Sequence, residues 1–266
     1  MTTGALIFAF NNEHIDYLSM ARWSAKNIKR HLGIPTAIVT DVPFDNTEYE
    51  LCVYAEPEGS YSRKFADQVN DVTWYNGNRV DAYGLTPWKQ TLVLDADYVV
   101  ASDQLVKVLT MNTNFVAHKT AYDVVNQDNF DELNNFGNFN MPMWWATVMM
   151  FKRSDEAEML FNAMNMIKQN WQHYRNLYKI SRSIYRNDFA LSIALGILNG
   201  HTLDHMDIPW GLASVTPAHT LSKTAEDQYR VDFLTPDQKS RYITIHNQDF
   251  HAMGKRHLGD IVASDS

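Results

Sequence analysis

The chain opens on a continuous apolar run, Gly4-Ala-Leu-Ile-Phe-Ala-Phe10, closed by the polar pair Asn11-Asn12. Such a run predicts a buried strand followed by a turn. From Glu13 to His31 the residues Ile15, Leu18, Ala21, Ala25, Ile28 and then Leu32 recur at helical spacing, and Gly33 and Pro35 stop the helix. Thr36-Ala-Ile-Val-Thr40 is a second strand, ending at Asp41. Strand, helix, strand within about 40 residues is the βαβ unit of a parallel sheet. Ligands to such sheets bind beyond the carboxyl ends of the strands, where Asn11, Asn12 and Asp41 fall.

The alternation continues. Leu51 to Tyr54 reads as a strand, a short helical stretch runs through Arg79 and Tyr83, and Thr91-Leu-Val-Leu-Asp95 is again a strand. Tyr98 to Ala101 is extended, Leu105 to Leu109 helical and Asn114 to Ala117 extended. Residues 121–142 are polar, rich in Asn, Asp and Phe, and predict a mobile loop. Met143 to Phe151 is strand-like, and Ser154, followed by Asp155, Glu156 and Glu158, is a helix N-cap with acids in the first turn. Asp188 to Leu198 is a further helix, closed by Asn199-Gly200. With no internal repeat and no low-complexity tract, residues 1–266 read as a single α/β domain.

Composition narrows the class. Of 266 residues 45% are hydrophobic and 20% charged, which fits a folded globular chain rather than a disordered one. No apolar run nears the about 20 residues that span a bilayer, so no membrane partner is expected. One cysteine, Cys52, excludes an internal disulfide and fits a reducing, cytoplasmic setting. The net charge of −8 argues against whole-surface attraction to nucleic acid, leaving room for a local basic patch.

The segment richest in chemistry is Leu92-Val-Leu-Asp95-Ala96-Asp97-Tyr98. Two carboxylates one residue apart at the end of an apolar strand repel unless a cation offsets them. A hard divalent ion, Mg²⁺ or Mn²⁺, takes oxygen ligands of this kind and bridges to a diphosphate. Paired Asp residues also form turns and caps with no ion. The same letters fit a haloacid-dehalogenase-like phosphotransferase pattern with Asp95 as nucleophile. That pattern belongs in the first strand of its domain and needs a later Asp-Asp pair; here about 90 residues precede it and no such pair follows.

Thr86-Pro-Trp-Lys-Gln-Thr-Leu-Val-Leu-Asp-Ala-Asp97 resembles the Asp-x-Asp region of GT-A glycosyltransferases, in particular the glycogenin and bacterial galactosyltransferase group. Four more segments resemble that group in the same order: Phe10-Asn11-Asn12 with Tyr17, Trp145-Ala-Thr-Val-Met-Met-Phe-Lys-Arg153, Arg186-Asn187-Asp188, and His251-Ala-Met-Gly254-Lys255. The motifs span about residues 4–258, and the chain also resembles glycosyltransferases of large tailed phages. The resemblance implies a Rossmann-like GT-A fold with a mixed, mainly parallel sheet flanked by helices. It implies transfer from a nucleotide-sugar, UDP-sugar favoured, with retention at the anomeric carbon. Asp95, Asp97 and His251 would hold Mn²⁺ or Mg²⁺, with His246 and His257 as competing imidazoles. Phe10, Asn11, Asn12, Tyr17, Asp41, Arg79, Asp95, Ala96 and Lys255 would bind the donor. Lys255 would also stabilise the leaving diphosphate, Asp188 would sit beneath the anomeric carbon or merely cap its helix, and Trp145 would flank the acceptor. The motif departs from the family's His-x-x-Gly-x-x-Lys spacing at Lys255. A non-catalytic nucleotide-binding relative would carry many of the same segments.

Residues 160–187 contain no Asp or Glu, and within them Lys168, Arg175, Lys179, Arg182 and Arg186 lie within about 40° of one direction on a continuous helix. Trp171, Tyr174, Tyr178 and Tyr185 form a neighbouring stripe, with Leu177, Ile180 and Ile184 turned to the core. Basic side chains beside aromatic rings suit a phosphate backbone and stacked or flipped bases. Arg175, Lys179 and Arg182 therefore point to a nucleic-acid acceptor, and together with the resemblance to phage glycosyltransferases this implies a hydroxymethylated pyrimidine in DNA. A saccharide or lipid-linked glycan stacked on the aromatic stripe is the alternative.

Overall fold

The computed structural model describes residues 2–58, 60–64, 71–75, 77–127, 134–181, 184–201 and 207–265. The apolar opening forms β1 (Thr3–Phe8), and the chain turns through Asn11 and Asn12 into α1 (Tyr17–Leu32). Asp16 caps that helix by accepting from the Ser19 amide at 3.0 Å, and Gly33 ends it in the left-handed conformation, φ 70°. Strands β2 (Thr36–Thr40) and β3 (Glu50–Tyr54) follow, then the hairpin β4 (Ser60–Lys64) and β5 (Asp71–Tyr75). A 3₁₀ turn (Gly77–Asp81) and α2 (Ala82–Leu85) lead into β6 (Gln90–Leu94), β7 (Tyr98–Val99), α3 (Leu105–Leu109) and β8 (Phe115–His118).

Where a loop is expected at 121–142, the described residues contain three short strands: β9 (Ala121–Asp123), β10 (Asn135–Phe136) and β11 (Met141–Pro142). Phe136 and Ala121 are buried, so the Phe residues that look like loop decoration in part anchor it. Strand β12 (Trp145–Lys152) precedes α4 (Asp155–Gln169), which Ser154 caps by accepting from the Ala157 amide at 3.2 Å. After α5 (Trp171–Leu177) and α6 (Asn187–Leu198) come β13 (Leu212–Val215), the meander β14 (Thr220–Ala225), β15 (Gln228–Leu234) and β16 (Ser240–His246), then β17 (Phe250–Ala252) and α7 (Lys255–Ser264).

The central sheet runs β3-β2-β1-β6-β12-β8, with β12 the antiparallel member. This is the mixed, mainly parallel sheet that the resemblance implies, and its β1-α1-β2 unit is the one the apolar pattern predicts. Its inner strands are buried on both faces, which is why they read as unbroken apolar runs. Helices flank it: α1 packs on β1 and β2, α6 on β12 and α4, and α7 on α1 and β14. A second sheet, β7-β17-β13-β9, stands where β6 ends. Leu94 closes one sheet and Tyr98 opens the other, so Asp95-Ala96-Asp97 is the hinge between them.

Candidate functional site

The hinge is set by backbone bonds. The Asp95 amide donates to the Thr147 carbonyl on β12 at 3.0 Å, and the Tyr98 amide folds back to the Asp95 carbonyl at 3.0 Å. The far end of the chain is stitched to the same place: β17 pairs His251 with Tyr98, and the Ala252 amide donates to the Asp97 carbonyl at 2.9 Å. His251 thereby reaches Asp97, its Nε2 lying 3.3 Å from Asp97 Oδ2. One ligand atom each from Asp95, Asp97 and His251 lies within 4.8 Å of the others. His246 sits exposed at the end of β16, opposite Gln228 in the meander, and outside this cluster. Among the three histidines of the segment, the fold brings His251 to the acids.

An ion with ligands at about 2.1 Å spans at most about 4.2 Å between opposite ligands. The observed separation needs only a small contraction to meet it. Two hard carboxylates and one imidazole are a donor set suited to Mn²⁺ and tolerant of Mg²⁺. The residues fit a divalent cation.

Each acid already has a cationic partner. Lys255, the first residue of α7, donates from Nζ to Asp97 Oδ2, and Arg79, buried on the 3₁₀ turn, donates to Asp95 Oδ1 and to the Ala146 carbonyl at 2.6 Å. Asp97 is 4% exposed. Burial by itself would raise its carboxyl, but Lys255 and His251 outweigh burial and hold it well below the usual carboxylate range. Asp188 is the third acid. It is the second residue of α6, not its cap, a position held by Arg186. Its Oδ1 accepts from the Ala146 amide at 2.9 Å and its Oδ2 from Arg186 at 2.5 Å.

These groups share one cavity of about 340 Å³. Phe10, Tyr17, Arg79, Asp95, Ala96, Asp97, Trp145, Asp188, His251 and Lys255, all candidates from the sequence, line it. Asn11, Asn12 and Asp41 are not among its described lining residues. Asn11 Oδ1 accepts from the Leu18 amide and Asn12 Oδ1 from those of His14 and Ile15, so these side chains build the turn into α1. The cavity also contains Phe8 and Tyr75, which the sequence does not single out, together with Tyr185 from the expected aromatic stripe, Asn187 from the Arg186-Asn187-Asp188 motif, and Arg186, which belongs to that motif and to the expected basic stripe. Arg186 stands 5.9 Å from the Trp145 ring centroid and 5.6 Å from that of Phe189. Its place one residue before Asn187-Asp188 was the available signal.

The expected basic and aromatic helix face does not form. The helix ends at Asn170, whose side chain donates to the Met166 carbonyl, resumes as α5 and ends again at Tyr178, with Lys179 left-handed at φ 54°. Arg175 is half-buried and Lys179 exposed, while Lys168 is tied to Glu58 and the Gly77 carbonyl. Arg182 lies outside the described residues. Trp171, Tyr178 and Tyr185 are core residues: Trp171 stacks on Phe189 at 5.7 Å and meets Tyr185 edge-on. Leu177, expected in the core, is 53% exposed. A single helical period was carried through two breaks, which rotates everything after them.

No protein-family model matches the chain, and no curated protein matches it. Solved structures do. The glycosyltransferase GlyE of Streptococcus pneumoniae TIGR4 is 12% identical, with a TM-score of 0.44 over 79% of this chain and 46% of that one. The galactosyltransferase LgtC, solved with donor and acceptor sugar analogues, is 13% identical, with a TM-score of 0.44 over 71% of this chain and 70% of that one. Mouse xyloside xylosyltransferase 1 is 11% identical, with a TM-score of 0.42 over 79% and 87%. The chain spans less than half the length of GlyE. Structures of glycosyltransferases are thus what this chain is similar to, at a distance that leaves its chemistry to be read from its own residues.

Proposed function

We propose that the chain transfers a sugar from a nucleotide-sugar, UDP-sugar favoured, to an acceptor hydroxyl, with Mn²⁺ or Mg²⁺ held by Asp95, Asp97 and His251. The observation that carries this reading is the convergence of two carboxylates and an imidazole in one cavity beyond β1 and β6, together with Arg79, Lys255 and Asp188. Parallel sheets bind nucleotides at that end. When bound, the cation supplies charge that neutralises a diphosphate. The chain's own residues do the rest. Arg79 fixes the Asp95 carboxylate against the Ala146 carbonyl. Lys255 offsets negative charge on the diphosphate as the anomeric carbon–oxygen bond breaks. Asp188, aimed by the Ala146 amide and Arg186, orients the sugar and faces the positive charge that develops on its ring. Phe10 and Tyr17 form an apolar wall suited to the base. Retention at the anomeric carbon is the outcome that the Arg186-Asn187-Asp188 resemblance implies, and the anomeric coupling in the product's NMR spectrum tests it.

For the acceptor, the structure alters the balance between DNA and a saccharide. Trp171, Tyr178 and Tyr185 of the aromatic stripe are core and the helix that would align the cations is interrupted, so among the described residues a DNA acceptor rests on charge at Arg175 and Lys179. A saccharide hydroxyl beside Trp145 and Arg186 is the reading we favour. Steeply salt-dependent DNA binding, lost on reversing Arg175 and Lys179, reverses that order.

The decisive experiment incubates the protein with a panel of nucleotide-sugars and Mn²⁺. Consumption of one donor, reduced at least about 100-fold in Asp97→Asn, supports the reading. If no donor is consumed and Asp97→Asn leaves nucleotide affinity unchanged, the reading fails. Covalent phosphorylation of Asp95 transfers the chain to the phosphotransferase class instead.

A further inference from the structure

Deepening the proposed cation site, and resting on it, we infer that Lys255 is an exchangeable counter-ion: it holds Asp97 until cation and nucleotide arrive together, then passes to the diphosphate. The site neutralises itself. Arg79 pairs with Asp95, Lys255 with Asp97 and Arg186 with Asp188. A divalent cation alone must therefore enter a carboxylate pair whose charge is already offset, with an ammonium on the very oxygen, Asp97 Oδ2, that faces His251 Nε2. A diphosphate alone meets the Asp95 and Asp97 carboxylates. Together they bring two positive and about two negative charges, so the net charge of the site is preserved while every carboxylate and ammonium keeps an opposite partner.

Of the two cations on the acid pair, Lys255 is the one built to move. Arg79 is gripped a second time by the Ala146 carbonyl at 2.6 Å, and its side chain is 6% exposed against 11% for Lys255. Lys255 sits on a flexible four-carbon stem at the start of α7, and its contact to the Met253 carbonyl is long, 3.5 Å. It also lines a second cavity of about 390 Å³, between the entry to α1 and α7, whose lining includes Asp16, Ser19 and Asp260. Lys255 thus belongs to the lining of both cavities.

Two consequences follow for binding, and neither depends on turnover. UDP tightens Mn²⁺ binding by at least about tenfold, and by reciprocity Mn²⁺ tightens UDP binding by the same factor. Replacing Lys255 with Met keeps the stem and removes the charge, so Mn²⁺ alone binds several-fold more tightly than in the parent, while the coupling factor falls below the parent's to what direct attraction between cation and diphosphate supplies. Lys255→Arg retains the charge and keeps the weak binding of Mn²⁺ alone. Calorimetric titration of Mn²⁺ and of UDP, each with and without the other, reads both quantities. The reciprocal pair on the parent protein needs no variant to fold. Independent binding of Mn²⁺ and UDP by the parent, or weaker Mn²⁺ binding by a folded Lys255→Met, overturns the exchange while leaving the cation site standing. Absence of Mn²⁺ binding even with UDP, in parent and variants alike, removes the site and the exchange together.

Discussion

His118 shows how a single buried side chain makes stability depend on pH. It is fully buried on β8, and its Nδ1 lies 2.9 Å from the Trp210 carbonyl. Burial pushes its pKa down to about 4 from 6.5, against the pull of that carbonyl. Between those two values the unfolded chain binds the proton and the folded chain refuses it. The stability contributed is therefore full above about pH 6.5 and is lost as the pH falls toward 4. A shift of this size corresponds to about 3 kcal/mol. Urea midpoints at pH 7 and pH 4.5 should differ by less in His118→Gln than in the parent; an unchanged difference refutes the assignment. At the same scale the acids stand out in the sequence more plainly than their cationic partners. Asp95 and Asp97 announce themselves because two charges end an apolar strand. Arg79 is named only through the family resemblance, and Arg186 is read on a basic stripe until the fold lays it near Trp145 and Phe189.

At the scale of elements, β1 depends on a missing side chain. A Cβ on Gly4 would lie 2.3 Å from Trp88 Cε2, inside an indole that is 3% exposed and donates from Nε1 to the Ala5 carbonyl at 3.1 Å. Gly4→Ala should therefore destabilise by about 1–3 kcal/mol through overpacking, although alanine in place of a strand glycine ordinarily helps. A denaturation midpoint equal to or above the parent's contradicts this. Elements buried on both faces, such as β2 and β12, were legible because nothing polar interrupts them. The meander β14–β16 was not. In β16, Ser240–His246, the apolar residues Tyr242, Ile243 and Ile245 are few and Ile245 alone is buried, so the strand is short of a continuous apolar run. Helix α7 had a readable spacing in Leu258, Ile261 and Val262, but it is short and contains Gly259.

On the scale of the molecule, the last helix ties the site to the fold. It packs on α1 and β14, buries Leu258, Ile261 and Val262, and carries Lys255 into the cavity. Each of those apolar side chains contributes about 1.5–3 kcal/mol, and the three together approach the about 5–15 kcal/mol of a typical domain. A chain ending at Met253 should lose cooperative unfolding in circular dichroism as well as Mn²⁺ binding; a cooperative melt near the parent's temperature contradicts that. The Lys255–Asp97 contact joins residues 158 apart in sequence. While such a protein is being synthesised, its acid pair leaves the ribosome long before the imidazole and ammonium that compensate it. A nascent chain must therefore carry Asp97 without its ammonium for the 158 residues that separate it from Lys255, while Asp95 already has Arg79 behind it, and the cation pocket closes only once β17 has emerged and paired with β7.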